Sequence, residues 1–345
     1  MKKSMLAVAV AAAIALPVSA MAETVVYGRI HTSLDFVDNG ADSSHQAASR
    51  SSRIGFKGAE DLGGGLQGIW QLESGYHATE SGGQLATRNT FVGLKGGFGT
   101  ALIGRHDTPY KTSTGRLDPF GDTAADYNTI MGSVAGKGLL FDSRTNNTIA
   151  YMTPSFGGFG LQAAYVTDTR SGGDRPGETA NDNKAFSLAA NYGAGPVYVT
   201  AAYEQLNNFT GDNNARAAKI GGAYTLGDLT LSAMYERIDL NDDVIGSRDS
   251  GMLAARYNFN QINLRAAYLQ ANDDDRDDTG AKMFALGAGY NFSRRTEVYA
   301  VLAQMKQDTD AASLWALGTG GNKEVAPAPG EDTTRAISLG VAHNF

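Results

Sequence analysis

The stretch LAANYGAGPVYVTAAY, residues 188–203, carries one pattern twice, aliphatic-x-small-x-Tyr, on either side of a turn. Leu188, Ala190 and Tyr192 are two apart, as are Val199, Ala201 and Tyr203, so each triplet shares one face of an extended strand. Between them Gly193-Ala194-Gly195-Pro196 is turn chemistry. The pattern recurs at 161–165, 220–224, 231–235, 253–257, 264–268 and 286–290. The alternate positions hold mixed residues, among them Lys219, Ser232, Arg256, Asn263 and Arg265. Alternation alone would also suit a soluble sandwich.

Spacing separates the two. From Tyr192 the tyrosines step by 11, 21, 11, 22, 11 and 22 residues. The short steps contain tight turns, Gly227-Asp228 and Asn260-Gln261 among them, and the long steps contain polar stretches such as 207–214 and 240–250. Short turns alternating with long loops are the asymmetry of an outer-membrane barrel. Tyr192, Tyr224, Tyr257 and Tyr290 precede a short turn, whereas Tyr203, Tyr235 and Tyr268 follow one by about seven or eight residues, roughly 20 Å along a tilted strand. Two aromatic rings with aliphatics between them match two membrane interfaces. A soluble core has no use for them.

Working outward, strands are expected at 25–37, 51–60, 66–77, 88–95, 100–107, 145–153, 159–169, 296–306 and 334–345. With those above, the fold class is all-β: a transmembrane antiparallel β-barrel of about sixteen strands, wide enough for a water-filled lumen. Composition agrees. Glycine is 43 of 345 residues, about 12% against a usual ~7%, and charged residues are 19% against ~25%. There is no cysteine, which excludes disulfides, thiolate metal sites and thiol catalysis. A net charge of −7 argues against nucleic acid as a partner. Lys2 and Lys3, an apolar run 5–18 and Ser19-Ala20-Met21-Ala22 read as a signal peptide over 1–22, leaving 23–345 as one barrel domain. Without 1–22 the chain has 27 basic and 36 acidic residues, a net −9.

Between Asp107 and Arg144 lie 36 residues without barrel pattern, too long for an idle connection. Tyr27-Gly28-Arg29, the run 52–58 (SRIGFKG), 88–95 (RNTFVGLK), 117–123 (LDPFGDT) and a terminal Phe345 together resemble the Gram-negative general porins of the trimeric sixteen-stranded type. The resemblance spans essentially the whole chain. It implies an outer-membrane channel for passive passage of small hydrophilic solutes and ions, a homotrimer, and a third outer loop folded inward to narrow the lumen. On that loop it points to Asp118, Asp122 and Asp126, with the one facing solute left open. Across the lumen it points to a basic cluster: Arg29, Arg53, Arg88 and Arg144, with Lys57 nearby. Strand parity independently turns Arg29 and Arg53 away from the apolar face, where an arginine near the bilayer midplane would cost ~2–4 kcal/mol. Phe345, with Ile337, Leu339, Val341 and His343 on its face, resembles the signal read by the barrel assembly machinery.

Acids facing guanidiniums make a transverse field that favours polar solutes and opposes apolar ones. The loops carry most of the excess acid, but charges at a narrow opening act more strongly on a passing ion, so weak anion preference is expected, weakening or reversing at low salt. Other chemistry is less supported. Asp273–Asp278 could hold a divalent cation, yet lacks the glycine of a calcium loop and reads as a solvated tip. A barrel hydrolase would have to use His106-Asp107 or Ser74 with His77, which are merely adjacent. A solute-specific channel for sugar, phosphate or carboxylate calls for an aromatic ladder, and only Tyr198 is inward by parity. No cofactor is implied, and outer-membrane lipid is the surroundings.

Overall fold

Apolar residues at every second position compel an extended chain, because only a period of two places them on one surface. The computed structural model, which describes residues 23–169, 183–210, 213–308, 315–319 and 321–345, shows sixteen such barrel strands. They are β1 (Glu23–Asp38), β2 (Ser43–Ser49, resuming as Arg53–Gly63), β3 (Leu66–Gly75), β4 (Thr90–Gly96), β5 (Gly99–Asp107), β6 (Arg144–Met152), β7 (Phe159–Val166) and β8 (Ala185–Ala194). The second half comprises β9 (Val197–Thr210), β10 (Asn213–Leu226), β11 (Leu229–Asp239), β12 (Ser247–Phe259), β13 (Ile262–Ala271), β14 (Ala281–Asn291), β15 (Thr296–Gln307) and β16 (Thr333–Asn344). Each pairs antiparallel with the next, and β16 pairs with β1 from Asn344↔Arg29 to Arg335↔Asp38. The sheet is closed and has no edge. The signal peptide expected at 1–22 lies outside the described residues.

Closure is finished by the last residue. Phe345 N donates to Gly28 O and Gly28 N to Phe345 O, both at 3.1 Å. A Cβ on Gly28 would stand 2.4 Å from the Phe345 ring, so only glycine admits the terminal aromatic there.

Three strands outrun their sequence pattern. β2 has an upper half, Ser43–Ser49, that pattern reading missed, because SSHQAAS has no apolar alternation although it pairs with β1 opposite Leu34 and Phe36. A bulge at 50–52, with Ser51 at φ 54°, joins the halves and turns Arg50 inward. Arg50 is buried there against Asp35 and donates to Ser33 Oγ and Gly318 O. The stretch 207–214, read as a loop, mostly belongs to β9 and β10, because ladder pairing continues into water where no apolar face is required.

The repeated face is the exposed one. Leu188, Ile220, Leu231, Leu253, Leu264 and Leu286 all stand outward, with Tyr224, Tyr235, Tyr257, Tyr268 and Tyr290 at the two margins. A sixteen-stranded closed sheet with this coat is a membrane barrel. The alternate face is where segment 108–143 packs. That segment is ordered: a short helix α1 (Pro109–Thr114), single 3₁₀ turns at Gly115–Leu117 and Tyr127–Thr129, and a small hairpin pairing Ser133–Val134 with Gly138–Leu139. Thr108 Oγ1 caps α1 by accepting from Lys111 N, and Pro109 follows where no amide donor is required. Leu117, Phe120, Ile130 and Met131 are buried against Met234, Met252, Met283 and Met305 of the strands. Segment 79–87 touches its own chain, where Glu80 meets Lys323 at 2.6 Å.

Candidate functional site

Arg29 on β1 and Arg53 on β2 are directly opposite in the ladder. Two like charges so placed repel, and a counterion answers them: Asp122, from the tip of segment 108–143, lies 2.8 Å from Arg29 Nη1 and 3.5 Å from Arg53 Nη1. Arg88 Nε donates to Glu73 Oε1 at 2.6 Å, and the other Glu73 oxygen accepts from Tyr27 OH at 2.9 Å. Arg144, opposite Asp107, is 2.9 Å from that carboxylate and donates to Asn89 Oδ1. Four guanidiniums therefore meet three carboxylates along neighbouring strands. All four arginines are partly exposed, at 11–23% of their side-chain area, so they remain within reach of water and ions.

Of the three loop acids, Asp122 alone reaches the arginines. Asp118 accepts from Phe120 N at 2.8 Å and Tyr127 N at 3.1 Å; Asp126 accepts from Asn128 N at 2.9 Å and Asp122 N at 2.7 Å. These two acids tie the turn together, and so present the third. Asp122 takes φ 61°, a left-handed conformation that suits Asp better than most residues. Lys57 also departs from expectation. It shares the parity of Arg53 but sits further down β2, opposite Val25, where it is exposed and lies 5.0 Å from the Tyr27 ring centre rather than among the arginines.

Sequence reading missed the acids that complete this group. Glu73 and Asp107 are the partners of Arg88 and Arg144, and inward parity on β3 was the available signal for Glu73. It also missed Arg265 on β13, which pairs with Glu297 and donates to Pro119 O at 3.2 Å, holding the other side of the 118–122 turn. Asp273 is occupied by Thr279 N and Gly280 N, and Asp274 by Arg276. Among the described residues no cluster of three or more metal-ligating side chains occurs.

The loop acids differ in protonation for physical reasons. Burial opposes ionisation of Asp122, but Arg53 and Arg29 outweigh it and hold its carboxyl below the usual carboxylate range. Burial and then the Asp122 charge push Asp126 up to about 6; burial and then Asp126 push Asp118 well up. A pKa raised in the docked segment adds stability that is complete below the ordinary carboxyl range, near 4, and lost as pH rises through about 6. Open-channel noise from the segment should accordingly be lower at pH 5 than at pH 7.5. Asp126→Asn should flatten most of that dependence; an unchanged pH profile in the variant would exclude Asp126 as its source.

A family model described as Gram-negative porin matches residues 7–310. The major outer membrane protein P.IB of Neisseria meningitidis is 28% identical over the full length of both chains. Outer membrane porin protein 32 of Delftia acidovorans is 29% identical, again over the full length of both. Among solved structures, an anion-selective porin from Comamonas acidovorans superposes with a TM-score of 0.81 at 26% identity, covering 94% of this chain and 100% of that one.

Proposed function

Since this chain belongs to the Gram-negative porin family, we propose that its charged cluster is the constriction of an outer-membrane channel open to small hydrophilic solutes and ions. The observation that carries this is Asp122 facing Arg29 and Arg53 on the side of a closed barrel away from its apolar coat. Segment 108–143 is read as lying within the lumen and narrowing it, because its bonds run to side chains of alternate parity: Glu236, Lys219, Ser232 and Arg265. Passage is passive. The protein supplies a wet opening with a fixed transverse field, and solute follows its gradient.

The excess of one guanidinium over the carboxylates supports weak anion preference, and the Comamonas relative is named for that property. Against a hydrolase stands the fate of its candidate groups. His106 Nδ1 lies 2.7 Å from the Asp107 backbone oxygen, the Asp107 carboxylate is on Arg144, and Ser74 Oγ accepts from Ala86 N. Homotrimer assembly and reading of Phe345 by the barrel assembly machinery are part of the same proposal, the latter supported by the place of Phe345 at the closing seam.

Recording in a planar bilayer tests the function. Stepwise ohmic conductance is expected, together with a band on an unboiled gel well above 36 kDa that collapses on boiling. Absence of conductance from folded protein would remove the channel reading, and identical bands before and after boiling would remove the trimer.

A further inference from the structure

At the short-turn end of the barrel a pocket of about 350 Å³ opens between residues 116–119 of segment 108–143 and strands β9 to β12. None of Arg29, Arg53, Arg88 and Arg144 lines it. Its charged walls are instead Arg116 of the segment and Arg256 of β12, with Tyr198, Thr225, Thr230 and Asn258 between them. Leu231 and Tyr257 belong to the outer coat, so the alternate residues Thr230, Arg256 and Asn258 stand on the lumen side.

Positive charge is left over here. Arg256 is directly opposite Arg265 in the ladder, an arrangement that repels. Glu297 answers Arg265, whereas Arg256 donates only to Asn258 Oδ1, at 3.2 Å, and has no carboxylate partner among the described residues. Arg116 has none among them either. Its guanidinium lies 4.1 Å from the Tyr198 ring centre, a stacking that orients the group without neutralising it. Asp118 also borders the pocket, but its oxygens accept from Phe120 N and Tyr127 N, and burial holds back its ionisation.

Two uncompensated guanidiniums beside hydroxyl and amide groups suit a dianion that itself carries hydroxyls. We propose that this pocket is a binding station for a small hydroxylated phosphomonoester, of the sugar phosphate class, separate from the constriction. A phosphate ester carries about −1.5 to −2 near neutral pH, which matches Arg116 and Arg256 together. Its oxygens take charge-assisted hydrogen bonds from both, and Thr225, Thr230 and Asn258 meet the hydroxyls. A bare ion would leave much of the pocket to water, since cavities of roughly 300 Å³ and more suit whole small molecules. The station presupposes an open lumen, as the channel reading does.

The full protein in a planar bilayer is bathed in potassium chloride, and glucose 6-phosphate is added to both sides. Saturable loss of ion current is expected. Glucose lacks the charge and inorganic phosphate lacks the hydroxyl contacts, so each should need a concentration roughly tenfold higher. Arg116→Gln with Arg256→Gln should raise the half-blocking concentration on the order of a hundredfold, about tenfold for each charge-assisted contact. An unchanged β-sheet spectrum verifies that the variant folds, and calorimetry on the protein in detergent reads binding without any current. A channel that conducts but shows neither block nor binding heat would overturn the station and leave the channel standing. Absence of conductance would remove the channel reading, and calorimetry would still decide the pocket. Succinate binding as tightly as the sugar phosphate would overturn the choice of ligand. Block lost in Arg53→Gln with Arg88→Gln but kept in the Arg116 and Arg256 variant would place the ligand at the constriction and overturn the proposal too.

Discussion

With Arg53 and Arg88 both replaced by glutamine, the reversal potential in a salt gradient moves toward the cation. The cluster holds Arg29, Arg53, Arg88 and Arg144 against Asp122, Glu73 and Asp107. Lys111 also lies 3.7 Å from Asp107, so the double replacement takes the local balance from two excess positive charges to none. A unit charge ~5 Å from a passing ion is worth about 0.8 kcal/mol even at the dielectric of water, close to fourfold in relative permeability. Two charges give an effect on the order of tenfold. Acids on the outer loops lie beyond the ~8 Å over which physiological salt screens, so their contribution grows only as salt is diluted. The unmodified channel should therefore lose its anion preference as salt falls, while the variant lies further toward the cation at every salt concentration. A reversal potential that does not move, or moves toward the anion, would sink the assignment of these arginines to the constriction.

Replacing Lys219 with methionine releases segment 108–143. Lys219 Nζ lies 2.8 Å from Asp142 Oδ1 with both side chains fully buried, and it also stands 3.9 Å from the Tyr110 ring centre. Removing one partner of such a pair leaves an uncompensated buried charge, a loss of about 3–5 kcal/mol. Nearby, Glu236 accepts from Tyr110 OH at 2.8 Å and from Gly132 N at 2.8 Å. The two anchors fix one segment, so weakening the first should loosen its docking while the barrel stays closed. Expected results are protease cleavage within 108–143, a noisier and larger conductance, and an unchanged β-sheet spectrum. Adding Asp142→Asn, which removes the stranded charge and suits the left-handed backbone at φ 60°, should recover much of the protection. Lys219→Met channels as quiet and protease-resistant as the parent would show that the pair does not hold the segment.

The barrel was legible because its rule is local. Leu188, Ala190 and Tyr192 declare an outward face with no knowledge of their neighbours, and the tyrosine steps set turns and loops apart. Legibility failed where a strand carries no apolar alternation of its own. Ser43–Ser49 pairs fully with β1, but nothing apolar marks it. Parity turned Arg29 and Arg53 away from the apolar face, and in the structure both lie against Asp122. Arg88 was harder to place because it precedes β4 rather than lying in it.

Sequence by itself determined the sixteen-stranded closed barrel, its outer coat, its closing residue and the side of the wall that carries charge, since each follows from a period of two acting along one strand. Tertiary structure alone decided which charges meet. Asp118, Asp122 and Asp126 are equivalent as residue types, and only the packed turn directs two of them onto backbone amides and the third toward Arg29 and Arg53. Glu73 with Arg88 and Asp107 with Arg144 are separated by 15 and 37 residues. Arg265 reaches Pro119 from 146 residues away. Ion pairing depends on distances of a few ångströms between distant segments, and no local periodicity encodes those distances.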